Sequence, residues 1–278
     1  MSYPSILVHL NDSKRLDVLL EAACGLASRS GSHLSGVFVV PPNPLPNLPE
    51  ISARQDIIEA SRRAWQERAD TTKQAFERAV AGQPFTSEWR EVHAGSLVMA
   101  EAVAQQARLA DLTITSQGDP DASRNGADVI ERVAFDSGRP VLAVPQAGRF
   151  KQIGDRVLVA WNGQKEAVRA VHDAMPMLKT AKKVHLLTIV SKREADPINI
   201  PGAAIANMLA RHGVNCETAR LVSGEISVAD TLLNYASDHS IDLLVMGCYG
   251  HARLRERIFG GATRKILEEM TVPVLMSH

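Results

Sequence analysis

The sequence contains the same series of segments twice, and this repeat predicts a fold of two similar units. Short apolar segments alternate with longer amphipathic segments in the first part of the chain and again in the second. Val8 and Val159 are matching positions 151 residues apart, whereas Asp111 and Asp242 are 131 residues apart. The spacing decreases because the first copy carries a longer proline-containing loop and a longer helical segment.

The apolar segments have the length of buried strands, and the segments between them have the periodicity of amphipathic helices. Such alternation predicts an α/β fold with two tandem five-stranded parallel sheets, doubly wound with helices on both faces, in domains 1–148 and 149–278. Ser13 is the predicted cap of the first helix. The predicted strands are 5–10, 33–40, 86–93, 111–115, 140–144, 156–161, 183–190, 215–222, 242–246 and 272–277. The predicted helices are 14–28, 51–80, 97–106, 127–136, 165–178, 198–212, 226–237 and 262–270.

The charge and cysteine content exclude several classes of partner. The 31 acidic and 31 basic side chains balance, which argues against binding to nucleic acid or to an acidic membrane surface. No apolar run reaches the ~18 residues of a membrane span. Three cysteines without a Cys-x-x-Cys pair indicate reduced thiols, so we expect a cytoplasmic protein.

A glycine-rich stretch joins the fourth strand of the second domain to its last helix, with glycines at Gly247, Gly250, Gly260 and Gly261. Glycine lets backbone N–H groups approach an anion, and the N-terminus of a helix adds partial positive charge. The stretch therefore favours phosphate binding. The alternative is that these glycines only form turns and points of close packing.

The spacing Gly247-x2-Gly250-x9-Gly260 resembles the nucleotide-binding branch of the universal stress protein family, and the whole chain resembles the tandem form of that family. The resemblance implies the strand order 3-2-1-4-5 in each domain. It also implies a ligand in the crevice at the C-terminal ends of strands one and four, which is where doubly wound sheets generally bind ligands.

By this resemblance the protein is a stress-response binding or sensing protein whose second domain binds ATP, ADP or AMP, with or without Mg²⁺. The turn after the first strand of that domain would meet adenine and ribose, the end of the second strand would border the base, and the glycine stretch would hold the phosphates. The residues assigned to the nucleotide are Trp161, Asn162, Gly163, Ile189, Val190, Gly247, Gly250, His251, Arg253, Gly260, Gly261, Ala262 and Thr263.

The sequence departs from the family pattern in both domains. The family usually has Asp where Asn162 stands, and Gly261 takes the place of a Ser or Thr, although Thr263 matches a second hydroxyl position. A lost hydrogen bond to a charged group would weaken binding about ten- to a hundredfold. In the first domain the paired glycines are missing and Asp119 and Asp121 would repel a phosphate, so we predict a degenerate site there.

Sequence motifs for catalysis are absent, so enzymatic activity beyond weak ATP hydrolysis is not expected. Two alternatives to nucleotide sensing remain open. One is a stress protein that binds no nucleotide and acts through protein–protein contacts. The other is a slow ATPase.

Three further side chains have simple structural interpretations. His9 and His93 are predicted to be packed, neutral histidines, and Cys248 is predicted to be a buried, unreactive thiol.

The last strands of the two domains are expected to pair, because each would otherwise leave an exposed sheet edge. The apolar runs 141–144 and 272–276 also suggest a homodimer.

Overall fold

The computed structural model describes residues 2–41, 51–118, 127–190, 202–222, 224, 226–248 and 261–278. Strands and helices alternate through both halves. The first half contains β1 (Ser5–His9), α1 (Leu16–Ser30), β2 (His33–Val40), α2 (Ile51–Val80), β3 (Ser87–His93), α3 (Met99–Ala107), β4 (Leu112–Ser116), α4 (Ala127–Asp136) and β5 (Val141–Val144). The second contains β6 (Arg156–Trp161), α5 (Lys165–Asp173), α6 (Met175–Leu178), β7 (Lys183–Val190), α7 (Ala203–Arg211), β8 (Cys216–Val222), α8 (Val228–Asp238), β9 (Leu243–Gly247), α9 (Gly261–Glu269) and β10 (Val274–Ser277).

The ten strands form one sheet in the order β3-β2-β1-β4-β5-β10-β9-β6-β7-β8. Within each half the strands are parallel and have the order 3-2-1-4-5, so the predicted α/β architecture is confirmed. The two predicted sheets are joined into one by antiparallel pairing of β5 with β10, in which Leu275 lies opposite Leu142. The expected pairing of the last strands is therefore confirmed.

This central pairing has two consequences for the surface. The apolar side chains of β5 and β10 are fully buried within the chain. The two runs that suggested a homodimer are thus already covered, and that argument for self-association is lost. Because β5 and β10 are antiparallel, the C-terminal ends of the strands in the two halves point to opposite edges of the sheet. We call these two edges the first-half mouth and the second-half mouth.

Each face of the sheet carries its own core, because side chains alternate between the faces along a strand. Val8 belongs to the core on one face, which includes residues of α1, α5 and α7, whereas its neighbour Leu7 belongs to the core on the other face, which includes residues of α3, α4, α8 and α9. Each fully buried Val, Leu or Ile contributes roughly 1.5–3 kcal/mol relative to an exposed one. The apolar strands that the sequence analysis recognised therefore form a continuous double-sided core.

Helix α2 distinguishes the first half from the second. Its 30 residues carry Phe76 against the sheet, whereas α7 at the same place in the second half has nine residues. The ring of Phe76 fits because Gly36 lacks a Cβ, which would lie 2.7 Å from the ring. Trp65 of the same helix is half-buried, and its ring centroid lies 6.2 Å from that of Phe38.

Three local predictions are wrong. Ser13 does not cap α1, whose N-cap is Arg15 without a side-chain bond. The single helix predicted for 165–178 is divided at Ala174 into α5 and α6, because Pro176 has no N–H to donate and its ring disfavours a continuous helix. The side chain of His93 is 71% exposed and lies 3.4 Å from Glu91, so it is not packed.

Some features of the sequence lie outside the described residues, among them the proline-containing loop around 42–46 and the acidic segment with Asp119 and Asp121. Among the described helices, none is both long enough and apolar enough to cross a membrane.

Candidate functional site

The second-half mouth lies where strand order reverses in the second half of the sheet. Strand β6 pairs with β7 on one side and with β9 on the other, and it ends at Trp161 beside the end of β9 at Gly247. Crevices of this kind, at the C-terminal ends of parallel strands, are the usual ligand sites of doubly wound sheets. The structure therefore brings the two segments that the sequence analysis singled out to one edge of the sheet.

The turn after β6 is closed by its own side chain. Asn162 Oδ1 accepts a hydrogen bond of 3.0 Å from the backbone N–H of Gln164. Gly163 has φ of 74°, a left-handed conformation that glycine adopts without strain. Asn162 and Gly163 are both exposed, and Trp161 is half-buried. The turn thus presents an open polar surface beside the mouth.

Helix α9 begins at the mouth with Gly261, which is exposed, and no atom of the described residues lies within 4 Å of the position its Cβ would occupy. Ala262 is half-buried and Thr263 is buried. The first N–H groups of a helix have no partner inside the helix, and they carry partial positive charge. The start of α9 is therefore suited to an anion.

The end of β7 forms the apolar side of the mouth. Val190, its last residue, is 8% exposed, and Ile189 is half-buried. Since β7 lies next to β6, these two residues border the turn at Asn162. The family resemblance assigns these two residues to the base, and that assignment stays a prediction.

Gly247 has a structural role that the sequence analysis gave only as the alternative. A Cβ at this position would lie 2.5 Å from the amide nitrogen of Ala167 and closer still to the carbonyl carbon of Glu166. Glycine is therefore required here so that the first turn of α5 can pack on the end of β9. Four other predicted site residues, Gly250, His251, Arg253 and Gly260, lie outside the described residues.

One residue at this mouth was missed by the sequence analysis. Glu166, in the first turn of α5, is 4% exposed. Its charged neighbour is Lys165, with Nζ at 3.5 Å from Oε1. An acidic residue early in a helix is ordinary in sequence, since it complements the helix dipole, so nothing in the sequence pointed to its burial.

The first-half mouth, in contrast, is filled by hydrogen-bonded side chains. Asn11 follows β1 as Asn162 follows β6, but its amide Nδ2 donates to Val39 O at 2.7 Å while its Oδ1 accepts from Val39 N at 2.8 Å. Val39 is the residue of β2 that corresponds to Ile189 of β7. The side chain of Asn11 thus occupies both backbone hydrogen-bonding groups of Val39 at this mouth.

A chain of hydrogen bonds continues across the first-half mouth. Gln146 donates from Nε2 to Asp12 Oδ2 at 3.0 Å and from its backbone N–H to Gln117 Oε1 at 2.9 Å. Gln117 Nε2 in turn donates to the carbonyl oxygens of Leu267 at 2.6 Å and Glu268 at 3.1 Å, at the end of α9. The first-half mouth therefore joins the two halves.

Two predicted packed residues are found as expected. His9 is buried with Nδ1 3.0 Å from Thr115 Oγ1, and burial lowers the pKa of its imidazole to about 4. Cys248 is fully buried, with Sγ 3.3 Å from the carbonyl oxygen of Ser277. Burial raises the pKa of the Cys248 thiol well above its usual range, so the thiolate form is disfavoured. In the described parts of the chain, no group of three or more His, Cys, Asp or Glu side chains is arranged to hold a metal ion.

Residues 154–278 match the sequence model of the universal stress protein family. The curated relative Universal stress protein Slr1230 of Synechocystis sp. (strain ATCC 27184 / PCC 6803 / Kazusa) is 30% identical over 148 residues, which are 52% of this chain and 49% of the relative. The matched region thus spans about half the length of that relative.

One solved structure extends the likeness in fold to both halves. A universal stress protein from Archaeoglobus fulgidus DSM 4304 aligns with 98% of this chain and 95% of its own, with a TM-score of 0.70 and 16% identity, which shows the same fold. A universal stress protein in complex with cAMP aligns with 45% of this chain and 97% of its own, at 20% identity and a TM-score of 0.36. The second half of the chain, residues 154–278, therefore matches the universal stress protein family, and both halves together have the fold of the universal stress protein from Archaeoglobus fulgidus.

Proposed function

We propose that this protein is a stress-response sensor whose second half binds ATP or a related adenine nucleotide at the second-half mouth. The observation that carries the proposal is the start of α9, where Gly261 is exposed and the described residues leave the space beside it open. The contrast with the first half supports it, because there Asn11 occupies the corresponding crevice.

The mouth offers each part of an adenine nucleotide a suitable surface. Ile189 and Val190 border the base, and the turn at Asn162 meets the ribose. The phosphates lie against the N-terminus of α9 at Gly261, with Mg²⁺ accompanying them when it is present. The glycine stretch before α9 completes the phosphate contacts, with Gly250, His251, Arg253 and Gly260 kept as sequence-based assignments. The missing side chain of Gly247 makes room for α5. We therefore do not assign Gly247 the role of letting a phosphate approach the backbone.

The binding we propose is weak for a phosphate site. Gly261 brings no hydroxyl, and Asn162 is uncharged and already bonded to Gln164. Thr263 is buried in the first turn of α9, so the backbone N–H groups supply most of the attraction.

Isothermal titration calorimetry with ATP, ADP, AMP and adenosine tests the proposal, with Gly261→Asp and Gly261→Asn as a matched pair. The two new side chains have nearly the same shape, and both fit the open space at Gly261. The Asp carboxylate would repel a phosphate about 5 Å away by about 1–3 kcal/mol, so ATP should bind at least tenfold more weakly to Gly261→Asp than to Gly261→Asn.

Adenosine supplies the internal control, because it has no phosphate and should bind both variants equally. The negative charge of Asp interacts favourably with the partial positive charge at the start of a helix. Gly261→Asp should therefore unfold at the same temperature as the wild type or higher. Failure of all four compounds to bind the wild-type chain would refute the proposal. Equal ATP affinity of the two variants would show that the phosphates do not bind at the start of α9.

A second candidate function is action through protein contacts without any nucleotide. The observation that favours it is a set of exposed apolar side chains at the end of β8 and before α8. They are Leu221, Val222 and Ile226, which are 37%, 49% and 52% exposed, together with Val228, the first residue of α8, which is 43% exposed. An adenine nucleotide that copurifies with the protein after gentle isolation would exclude this alternative.

Location and assembly complete the proposal. All three cysteines are free thiols, which suits a reducing compartment, and we place the protein in the cytoplasm. A homodimer cannot use β5 or β10, since both are buried in the centre of the sheet. Multi-angle light scattering of the purified chain would show whether another surface supports self-association.

A further inference from the structure

Glu166 is a buried carboxylate without a hydrogen-bond donor in the part of the chain that the structure describes. Its side chain is 5% exposed, and its charged neighbour Lys165 is 83% exposed and belongs to the preceding position of the helix. Buried carboxylates are normally paired or hydrogen-bonded, because an unpaired one loses its hydration without compensation. The burial of Glu166 therefore requires an explanation beyond the ion pair.

The location of Glu166 points to the second-half mouth. The backbone of Glu166 packs directly on Gly247, the last residue of β9. The negative charge of Glu166 also helps to raise the pKa of the Cys248 thiol, after the larger effect of burial, so the carboxylate lies close to the residue that follows β9. In an α-helix the Cα–Cβ bonds tilt toward the N-terminus, which at α5 is the mouth.

The helix dipole alone does not account for this position. Other helices of the protein carry acidic residues in the first turn, and these remain accessible. Asp17 of α1 is exposed, Glu101 of α3 is 35% exposed and bonded to Arg132 at 2.8 Å, and Asp230 of α8 is 29% exposed and bonded to Lys265 at 2.7 Å. A dipole interaction is available to a solvated carboxylate, so it gives no reason for the burial of Glu166.

We propose that Glu166 contacts the ligand and accepts a hydrogen bond from a hydroxyl group of the nucleotide's sugar. This inference rests on the function proposed above. A carboxylate only accepts hydrogen bonds, so its guest must present a donor, and a phosphate beside it would be repelled. Asn162 Oδ1 is engaged by Gln164, which leaves Glu166 as the acidic acceptor at the β6–β9 end of the mouth. Glu166 thus sets the orientation of the ligand, with its sugar toward α5 and its phosphates toward α9.

Calorimetric titration of AMP and of 2′,3′-dideoxyadenosine monophosphate, which lacks both sugar hydroxyls, tests this role. The proteins are the wild type, Glu166→Gln, Glu166→Ala and the control Lys165→Ala, which removes the exposed ionic neighbour. We expect both Glu166 variants to bind AMP at least tenfold more weakly than the wild type. We expect them to bind the dideoxy compound within about twofold of the wild type, and Lys165→Ala to bind both compounds normally.

Thermal unfolding without ligand separates this role from a structural one. If Glu166 serves the ligand, its buried carboxylate has no hydrogen-bond partner in the empty protein. Removing its charge then costs no stability, so Glu166→Gln should unfold at the wild-type temperature or above it. A lower unfolding temperature would show that Glu166 is structural and overturn the inference, as would equal weakening of AMP and the dideoxy compound.

The remaining outcomes distinguish the two proposals. If the wild type binds AMP and both Glu166 variants bind it equally well, only the role of Glu166 is wrong. If the wild type binds neither compound nor ATP, the nucleotide function and the role of Glu166 are refuted together.

Discussion

The two mouths of the sheet begin with the same residue type and differ in where its side chain is used. Asn11 bridges the N–H and C=O of Val39, whereas Asn162 bonds to the N–H two residues ahead, at Gln164. In the first half that local bond is made by Asp12, whose Oδ1 accepts from Lys14 N at 3.1 Å. The turn is thus shifted by one residue, and this shift frees Asn11 to fill the crevice.

The contrast continues below the two turns. His9 and Thr115 form a buried polar pair under the first-half mouth, and the matching positions of the second half are Ala160 and Met246. The first half therefore satisfies polar groups inside its crevice, while the described residues of the second half place apolar side chains at these positions and the carboxylate of Glu166 nearby. Similar folds can accordingly provide one closed and one open mouth.

The largest effect is expected from making the two strand ends alike. Ser116 ends β4 where Gly247 ends β9, so Gly247→Ser places in the second half the residue that the first half tolerates. Its Cβ would overlap the backbone of Glu166 and Ala167, so we expect a loss of at least about 3 kcal/mol in the free energy of unfolding. Urea denaturation followed by tryptophan fluorescence measures this loss.

The matched control is Ser116→Gly, which removes a side chain without creating a clash and should cost about 1 kcal/mol. Equal effects of the two substitutions would mean that α5 does not pack on β9 more closely than α1 packs on β4.

The buried histidine should make the first half sensitive to acid. Burial lowers the pKa of His9 from 6.5 to about 4, so between these values the unfolded chain binds a proton that the folded protein does not. The contribution of neutral His9 is complete above about pH 6.5 and is lost as the pH falls toward 4, by roughly 3 kcal/mol in total.

Urea titrations at several pH values between 7 and 4 test this effect against His9→Gln, in which the same interval should show a shallower loss of stability. A wild type and a variant with parallel pH profiles would show that His9 does not titrate differently on unfolding.

The smallest effect separates the two asparagines. Asn11→Ala leaves the donor and acceptor of Val39 without their partner and should cost about 2 kcal/mol of unfolding free energy. Asn162→Ala removes one exposed bond and should cost less than about 0.5 kcal/mol. Thermal unfolding of both variants checks the difference, and similar losses would contradict the closed and open description of the two mouths.

The sequence was sufficient for the architecture because the relevant signals are periodic. Strand and helix periods identified the alternating elements, and the need to cover two sheet edges predicted the pairing of β5 with β10. The break at Ala174 was missed because a proline two residues later was read as part of one apolar helix. The predicted cap at Ser13 was wrong because Asp12 takes the local hydrogen bond and α1 begins later.

The site was less accessible from sequence because its features depend on contacts between distant segments. Asn11 and Asn162 look equivalent until the partner of each amide is known. Gly247 follows a phosphate-binding pattern, but its lack of a side chain is required by α5, which lies some 80 residues earlier in the chain. Glu166 resembles any acidic residue at the start of a helix, and only its burial sets it apart.

The antiparallel pairing of β5 with β10 also limits how the two halves of this protein can move when a ligand binds. A continuous backbone ladder joins these two strands, so the halves cannot swing about a hinge without breaking it. Any structural change caused by a ligand in a mouth must therefore pass through the loops and helices that connect the strands, while the ten-stranded sheet stays rigid. Since the two mouths face away from each other, a nucleotide and a macromolecular partner could approach from opposite sides without competing for space.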